Sequence, residues 1–445
     1  MRDIALLVFV IGMLFFILKR PFIGILMWCW VSYMVPHKLG WGFMVSFPLA
    51  QIIALTFLFS YVISKEPKMI KWRAPIVILI LFNLWLVLTF LAHPFTDHAV
   101  LQLSSFAKIQ LFTLLTYLLL TNKERLNQVL LVVSLSIIFY GVKGGIATLT
   151  SGGSTRIWGP PGGFFEGNNE LGLTLLIAMP IVYYFSVITE NKWLKIGLLG
   201  AILLAATSVL GTQSRGALVA IACCGFFFWL KSNSKVITLL ALIALAPVGY
   251  NFMPQSWHER MSTIVLSSEE EYDGSVQGRF NAWRMSFNLA NDKVMGGGFD
   301  SYTTTNFYLY SPRPEMIHDA HSIYFKILGQ HGYIGLILFL SLWLSVWLMA
   351  SKIHRRCKHN EQLKWASLLA RMLQISLVAY GAGGAFLGLA YFDLPYHIAV
   401  CIVALYNIVL KEEQAMATVS SKEDNDETQP LAPGQRAPVK YQTTT

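Results

Sequence analysis

The chain has 445 residues, 55% of them hydrophobic and only 13% charged, with a net charge of +10 and a mean hydropathy of +0.54. An ordinary soluble domain carries about 25% charged residues, so that class is excluded. Barrel strands alternate apolar and polar residues, whereas the apolar runs here are continuous, and a continuous run in hydrocarbon satisfies its backbone as a helix. The composition predicts an all-α polytopic membrane protein.

About 18 to 20 apolar residues suffice to cross a bilayer. In chain order the candidate runs are roughly 4–18, 21–35, 44–63, 74–92, 100–120, 126–149, 170–189, 194–211, 215–230, 235–252, 322–350, 367–389 and 394–410. Counting each as a span gives thirteen and places Met1 outside; treating the two short runs before residue 36 as half-spans gives about twelve and places it inside. The opening residues lack a basic leader and a small-residue cleavage site, and Lys19-Arg20-Pro21 leads straight into the next run, so they read as a retained helix.

The connections alternate in charge. KR at 19, SKEPKMIKWR at 64, NKER at 122, ENKWLK at 190, KSNSK at 231 and SKIHRRCKHNEQLK at 351 are basic, and those between them are nearly free of Lys and Arg. The positive-inside rule assigns the basic set to the cytoplasm. It also explains the net charge without nucleic acid as a partner. The five cysteines, Cys29, Cys223, Cys224, Cys357 and Cys401, avoid the longest polar loop and indicate no disulfide framework.

These features divide the chain into N-terminal transmembrane helices (1–252), a large outer loop (253–320), C-terminal transmembrane helices (321–410) and a cytoplasmic tail (411–445). The tail has few large apolar residues and is expected to be disordered. A second, turn-rich outer segment covers 150–169. Within the large loop, SVQGRFNAWRMSFNLAND has helical periodicity. Its Phe280, Trp283 and Phe287 fall on one face, which predicts a helix lying on the membrane surface. No internal repeat is visible, which argues against an inverted-repeat transporter.

Candidate chemistry gathers on the outer side. Arg215, in GTQSRGALVA, stands between two apolar runs against the charge bias. It reads either as a helix-end side chain reaching the headgroups or as an anion ligand, since a guanidinium offers forked donors to phosphate oxygens. Arg279 and Arg284 lie on the loop helix, with Arg279 one turn before Trp283. His321 follows His318 and Asp319 at the threshold of an apolar run. A His-x-x-His pair suggests metal, but zinc needs further ligands that the sequence does not place. The other readings are a helix cap or a general base held neutral by the helix macrodipole. GPPGG and MGGGF lack the Gly-Lys-Ser/Thr of a P-loop, so no nucleotide cofactor is expected.

Three stretches together resemble the bacterial O-antigen ligase superfamily, which includes O-antigen polymerases and protein O-oligosaccharyltransferases. GTQSRGALVA is similar to its Ser-Arg-Gly segment. GRFNAWRMSFNLANDKVMGGGFDSY is similar to its loop pattern of Arg, Trp and a glycine-rich turn. His321-Ser322, nine residues, Gly332, two residues and Gly335 match the ligase spacing. FEGNNELGL resembles the subset of ligases associated with exosortase systems.

The resemblance implies a membrane-embedded helical fold of the GT-C type in the bacterial inner membrane. It implies a metal-independent, inverting glycosyl transfer on the periplasmic face, without a cofactor. The donor would be a glycan on undecaprenyl diphosphate, and the acceptor a hydroxyl of lipid A-core or of protein Ser/Thr. By motif position it implies Arg215, Arg279 and His321 as catalytic residues. Arg215 and Arg279 would also bind the lipid diphosphate; Arg284 is a further diphosphate candidate without motif backing. The competing non-enzyme class, a flippase of lipid-linked sugars, predicts polar residues spread along several spans, whereas the candidates here gather at outer ends.

Overall fold

A computed structural model describes residues 2–232, 234–262 and 274–428, and among these there are helices and no strand. The helices are α1 (Arg2–Lys19), α2 (Pro21–Met34), α3 (Leu49–Ile63), α4 (Ala74–Leu91), α5 (Asp97–Leu119), α6 (Lys123–Thr150), α7 (Asn168–Ile188) and α8 (Lys192–Gly211). They continue with α9 (Arg215–Lys231), α10 (Lys235–Phe252), α11 (Gln255–Ser262), α12 (Gly274–Asp292), α13 (Thr304–Tyr310), α14 (Ile323–Cys357), α15 (Lys364–Gly384) and α16 (Asp393–Thr428). Short side chains set many of the starts. Thr96, Asn122, Asn191 and Ser214 cap α5, α6, α8 and α9 with side-chain oxygens, and Pro21 and Pro75 sit in the first turns of α2 and α4.

Each predicted apolar run coincides with a helix, and α11, α12 and α13 fill the large loop. Among the described residues eight helices are long and apolar enough to cross a bilayer: α4, α5, α6, α7, α8, α10, α14 and α16. Helices α2 and α3 are apolar but shorter, α1 and α9 carry charges at both ends, and α15 carries Lys364 and Arg371. Length and apolarity thus identify fewer crossings than the twelve or thirteen expected, and the chain is a multi-pass membrane protein.

The bundle centres on α7 and α16, whose apolar segments are 78% and 89% buried. Helix α7 packs on α8 and α15, and α15 also packs on α9 and α14. Helices α6 and α8 pack directly on one another. Cβ atoms at Gly141 and Gly144 would press into Ala205 and Ser208, so small residues set the separation. Helix α10 is at the other extreme, with no buried residue, and packs mainly on α9.

Helix α16 continues to Thr428, past the predicted start of the tail at 411, while residues 429–445 lie outside the described residues, as do 263–273 of the large loop. On α12 the core-facing side chains are Ala282, Met285 and Leu289, packed with Phe307. From the predicted apolar stripe, Phe280 and Phe287 are exposed, and Trp283 stacks on Phe325 at 4.8 Å.

Helix α14 is two helices joined at a break. Gly332 adopts φ 65° and ψ −169°, a backbone region open to glycine and strained for other residues. The break would orphan the carbonyls of the preceding turn, but three of them find donors outside the helix. Gly297 N–H donates to Gly329 O and Gly298 N–H to Gln330 O, each at 2.9 Å, and Trp85 Nε1 donates to His331 O at 2.9 Å. The glycine-rich turn of the outer loop thus caps a half-helix, Ile323 to His331. Gly296 lies in backbone contact with Gly329 and Gly332, where a Cβ would collide.

Candidate functional site

His321 stands ahead of the capped half-helix with φ 43°, in the left-handed region that disfavours most side chains. The residues around it are pinned. Trp283 Nε1 donates to Ala320 O at 2.7 Å, so the Arg-to-Trp pattern of α12 anchors the chain at the residue before His321. Asn281 donates to Arg313 O at 2.7 Å and Met316 O at 2.9 Å, holding the segment that leads there. Asp319 pairs with Lys326 at 3.2 Å, and the His318 ring packs on Gly278. No group of three or more His, Cys, Asp or Glu side chains among the described residues is arranged to hold a metal ion.

A second strained residue marks the turn between α8 and α9. Gln213 has φ 54°, and its carbonyl accepts from Arg260 Nε at 2.9 Å. Asn168 Nδ2 donates to Thr212 O at 2.8 Å and ties the start of α7 to the same turn. Ser214 then caps α9, accepting from Ala217 N–H at 3.2 Å. Arg260 is carried by α11, which is seated by Met253, Trp257 and Met261 against Leu210 and Leu218.

These elements enclose a cavity of about 120 Å³. Arg215 and Gly216 line it from α9, Arg260 from α11, Arg279 from α12 and Asn169 from α7, with Phe386 and Leu387 closing it from the loop after α15. None of its lining residues is acidic. Three guanidinium groups from three helices thus converge where α7 and α9 also present N-terminal turns, whose dipoles favour negative charge. Guanidinium groups so placed can receive an anion with several oxygens.

His321 belongs to this neighbourhood. Burial is the main cause that lowers its pKa from the ordinary value, and Arg279 adds to the lowering, while Asp319 and Glu170 act in the opposite sense. The balance keeps the imidazole neutral at neutral pH and able to accept a proton. An anion held at the arginines would lie near this imidazole.

Of the four residues that the sequence singles out, Arg215 and Arg279 share the cavity and His321 lies within the field of Arg279. Arg284 does not join them. It is exposed and absent from the cavity lining, because five residues along a helix turn it about 140° away from Arg279. Sequence reasoning passed over Arg260 and Glu170. The signal for Arg260 was present in QSWHER, an arginine on the outer side against the charge bias, the same criterion that singled out Arg215. Glu170 sits in the quoted FEGNNELGL stretch, but only the fold carries it toward His321.

Two family models match the chain. Residues 1–189 match a family of unknown function (DUF5935), and residues 172–340 match the family described as O-antigen ligase. The second match contains all three cavity arginines and His321. No curated protein matches the chain.

Proposed function

We propose that this chain, a member of the O-antigen ligase family through residues 172–340, transfers a glycan from undecaprenyl diphosphate to a hydroxyl of lipid A-core on the periplasmic face of the inner membrane. The observation that carries the reading is the acid-free cavity of Arg215, Arg260 and Arg279 beside a neutral histidine. Diphosphate chemistry needs cations where negative charge develops, and an acceptor alcohol needs a base.

In the proposed step the acceptor oxygen attacks the anomeric carbon from the side opposite the diphosphate. The bond from that carbon to the bridging oxygen breaks, its electron pair passes to the diphosphate, and the sugar inverts. Arg215, Arg260 and Arg279 stabilise the charge on the leaving group; preorganised donors of this kind are worth roughly 3 kcal/mol each. His321 takes the proton of the acceptor hydroxyl. The outer placement follows from the basic connections at the other ends of the helices.

Reconstitution of the purified protein with undecaprenyl-diphosphate glycan tests the proposal. Lipid A-core, a second lipid-linked glycan and a Ser/Thr peptide are offered as acceptors. Glycosylated lipid A-core is the expected product. Product on the lipid-linked glycan would make the chain a polymerase, and product on the peptide a protein O-oligosaccharyltransferase. Donor movement across vesicles without any transfer would sink the enzyme reading.

A further inference from the structure

At the far end of the bundle a second, larger cavity of about 400 Å³ opens between the α3–α4 connection, the end of α5, the start of α6 and α16. Helix α16 sets its depth. It begins at Asp393, just after the loop that carries Phe386 and Leu387, and reaches Lys411 about 27 Å further along its axis at 1.5 Å per residue. A bilayer's hydrocarbon core is about 30 Å thick. The two cavities therefore lie at opposite headgroup layers, the second on the side of the basic connections.

Its walls are amphiphilic. Leu118, Leu120 and Ile408 supply an apolar surface, while Lys71, Arg125, Lys411 and Glu66 supply charge. Arg125 binds Glu66 through both carboxylate oxygens, at 2.8 and 2.7 Å, so this pair cancels and the excess positive charge comes from the exposed Lys71 and Lys411. The floor is fixed by a polar chain. Arg73 Nε donates to Asn407 at 2.9 Å, Asn407 donates to Tyr117 at 3.0 Å, and the Tyr117 hydroxyl donates to the Lys71 carbonyl at 2.6 Å. Two exposed lysines lining a pre-formed, half-apolar cavity at headgroup depth match one kind of ligand, an anionic head attached to hydrocarbon. We infer that this cavity binds the phosphate headgroup of an anionic phospholipid, its chains running along the apolar wall.

The full-length protein in detergent provides the test, with phosphatidylglycerol, phosphatidylcholine of the same chains and sodium phosphate as probes. Bound lipid is counted by native mass spectrometry, and thermal unfolding is followed in parallel. Phosphatidylglycerol is expected to be retained over phosphatidylcholine and to raise the unfolding midpoint. The double variant Lys71→Gln/Lys411→Gln should weaken that retention about 30-fold, while Lys411→Arg, which keeps the charge, should preserve it. Equal retention of the two lipids, or an unchanged double variant, overturns the site. Should sodium phosphate alone reproduce the stabilisation and compete the lipid away, the ligand is a soluble anion and the lipid assignment fails. If the double variant does not fold, Lys411→Gln alone, compared with Lys411→Arg, decides the same question.

Discussion

His321 and His331 stand at the two ends of one half-helix, and the fold treats them in opposite ways. His331 is fully buried, with Nδ1 at 2.6 Å from the Thr89 hydroxyl and Nε2 at 2.7 Å from the Tyr391 hydroxyl. Tyr391 donates in turn to Gln330, and Gln330 Nε2 donates to Phe299 O at 2.6 Å. Both ring nitrogens are committed, so this imidazole has nothing left to offer a substrate. His321 is half-buried, sits in a strained backbone conformation and neighbours a cationic cavity. Residue type does not separate a histidine whose two ring nitrogens are committed from one beside a cationic cavity. The surrounding partners do.

The contrast can be broken most severely at His321. His321→Ala is expected to lower glycosyl transfer by about 10²- to 10⁴-fold while leaving thermal unfolding in detergent unchanged. Loss of folding with it would make His321 a structural residue like its neighbour. The cavity comes next. Arg215→Ala, Arg260→Ala and Arg279→Ala should each cost about 3 kcal/mol of barrier in the transfer rate, and Arg284→Ala, as the exposed control, should cost nothing measurable. Equal losses at Arg284 and Arg260 would detach the chemistry from the cavity.

At the buried end the readout is stability. His331→Ala removes one partner from the Thr89 and Tyr391 hydroxyls, which keep Leu86 O and Gln330, and should cost about 0.5–1.5 kcal/mol for each lost hydrogen bond, seen as a lower unfolding midpoint. Gly332→Ala should cost about 1–3 kcal/mol through backbone strain, with an added collision against the Val294 carbonyl.

The smallest effect is a displacement in pH. Because burial lowers the His321 pKa, the base is neutral above a value under the ordinary histidine range. Transfer should then rise with pH across that acidic region and level off toward neutrality. Glu170 favours the protonated ring, so Glu170→Gln should move the acid limb to still lower pH. A limb that moves upward, or does not move, removes Glu170 from the electrostatics of the base. Rates against pH for wild type and variant decide it.

The positions and order of the helices were legible from the apolar runs because a lipid-facing or buried helix must hide its backbone from hydrocarbon, and that demand is written residue by residue. Arg215 was legible because an arginine at the outer end of an apolar run stands out against its surroundings, and Arg279 and His321 were singled out by motif position. The ligase glycine spacing was visible as a pattern, but its physical meaning was not. Gly332 matters because the loop glycines dock on the carbonyls that it exposes, and that contact joins segments distant in sequence.

Sequence alone determined an all-helical membrane chain, its charge asymmetry and the residue types available at one end. Tertiary packing decided that Arg260 enters the cavity and Arg284 leaves it, that Glu170 reaches the field of His321, and that His331 is spent on structure. Those outcomes depend on which face of each helix is buried and on which distant segments meet there, and a linear pattern carries neither.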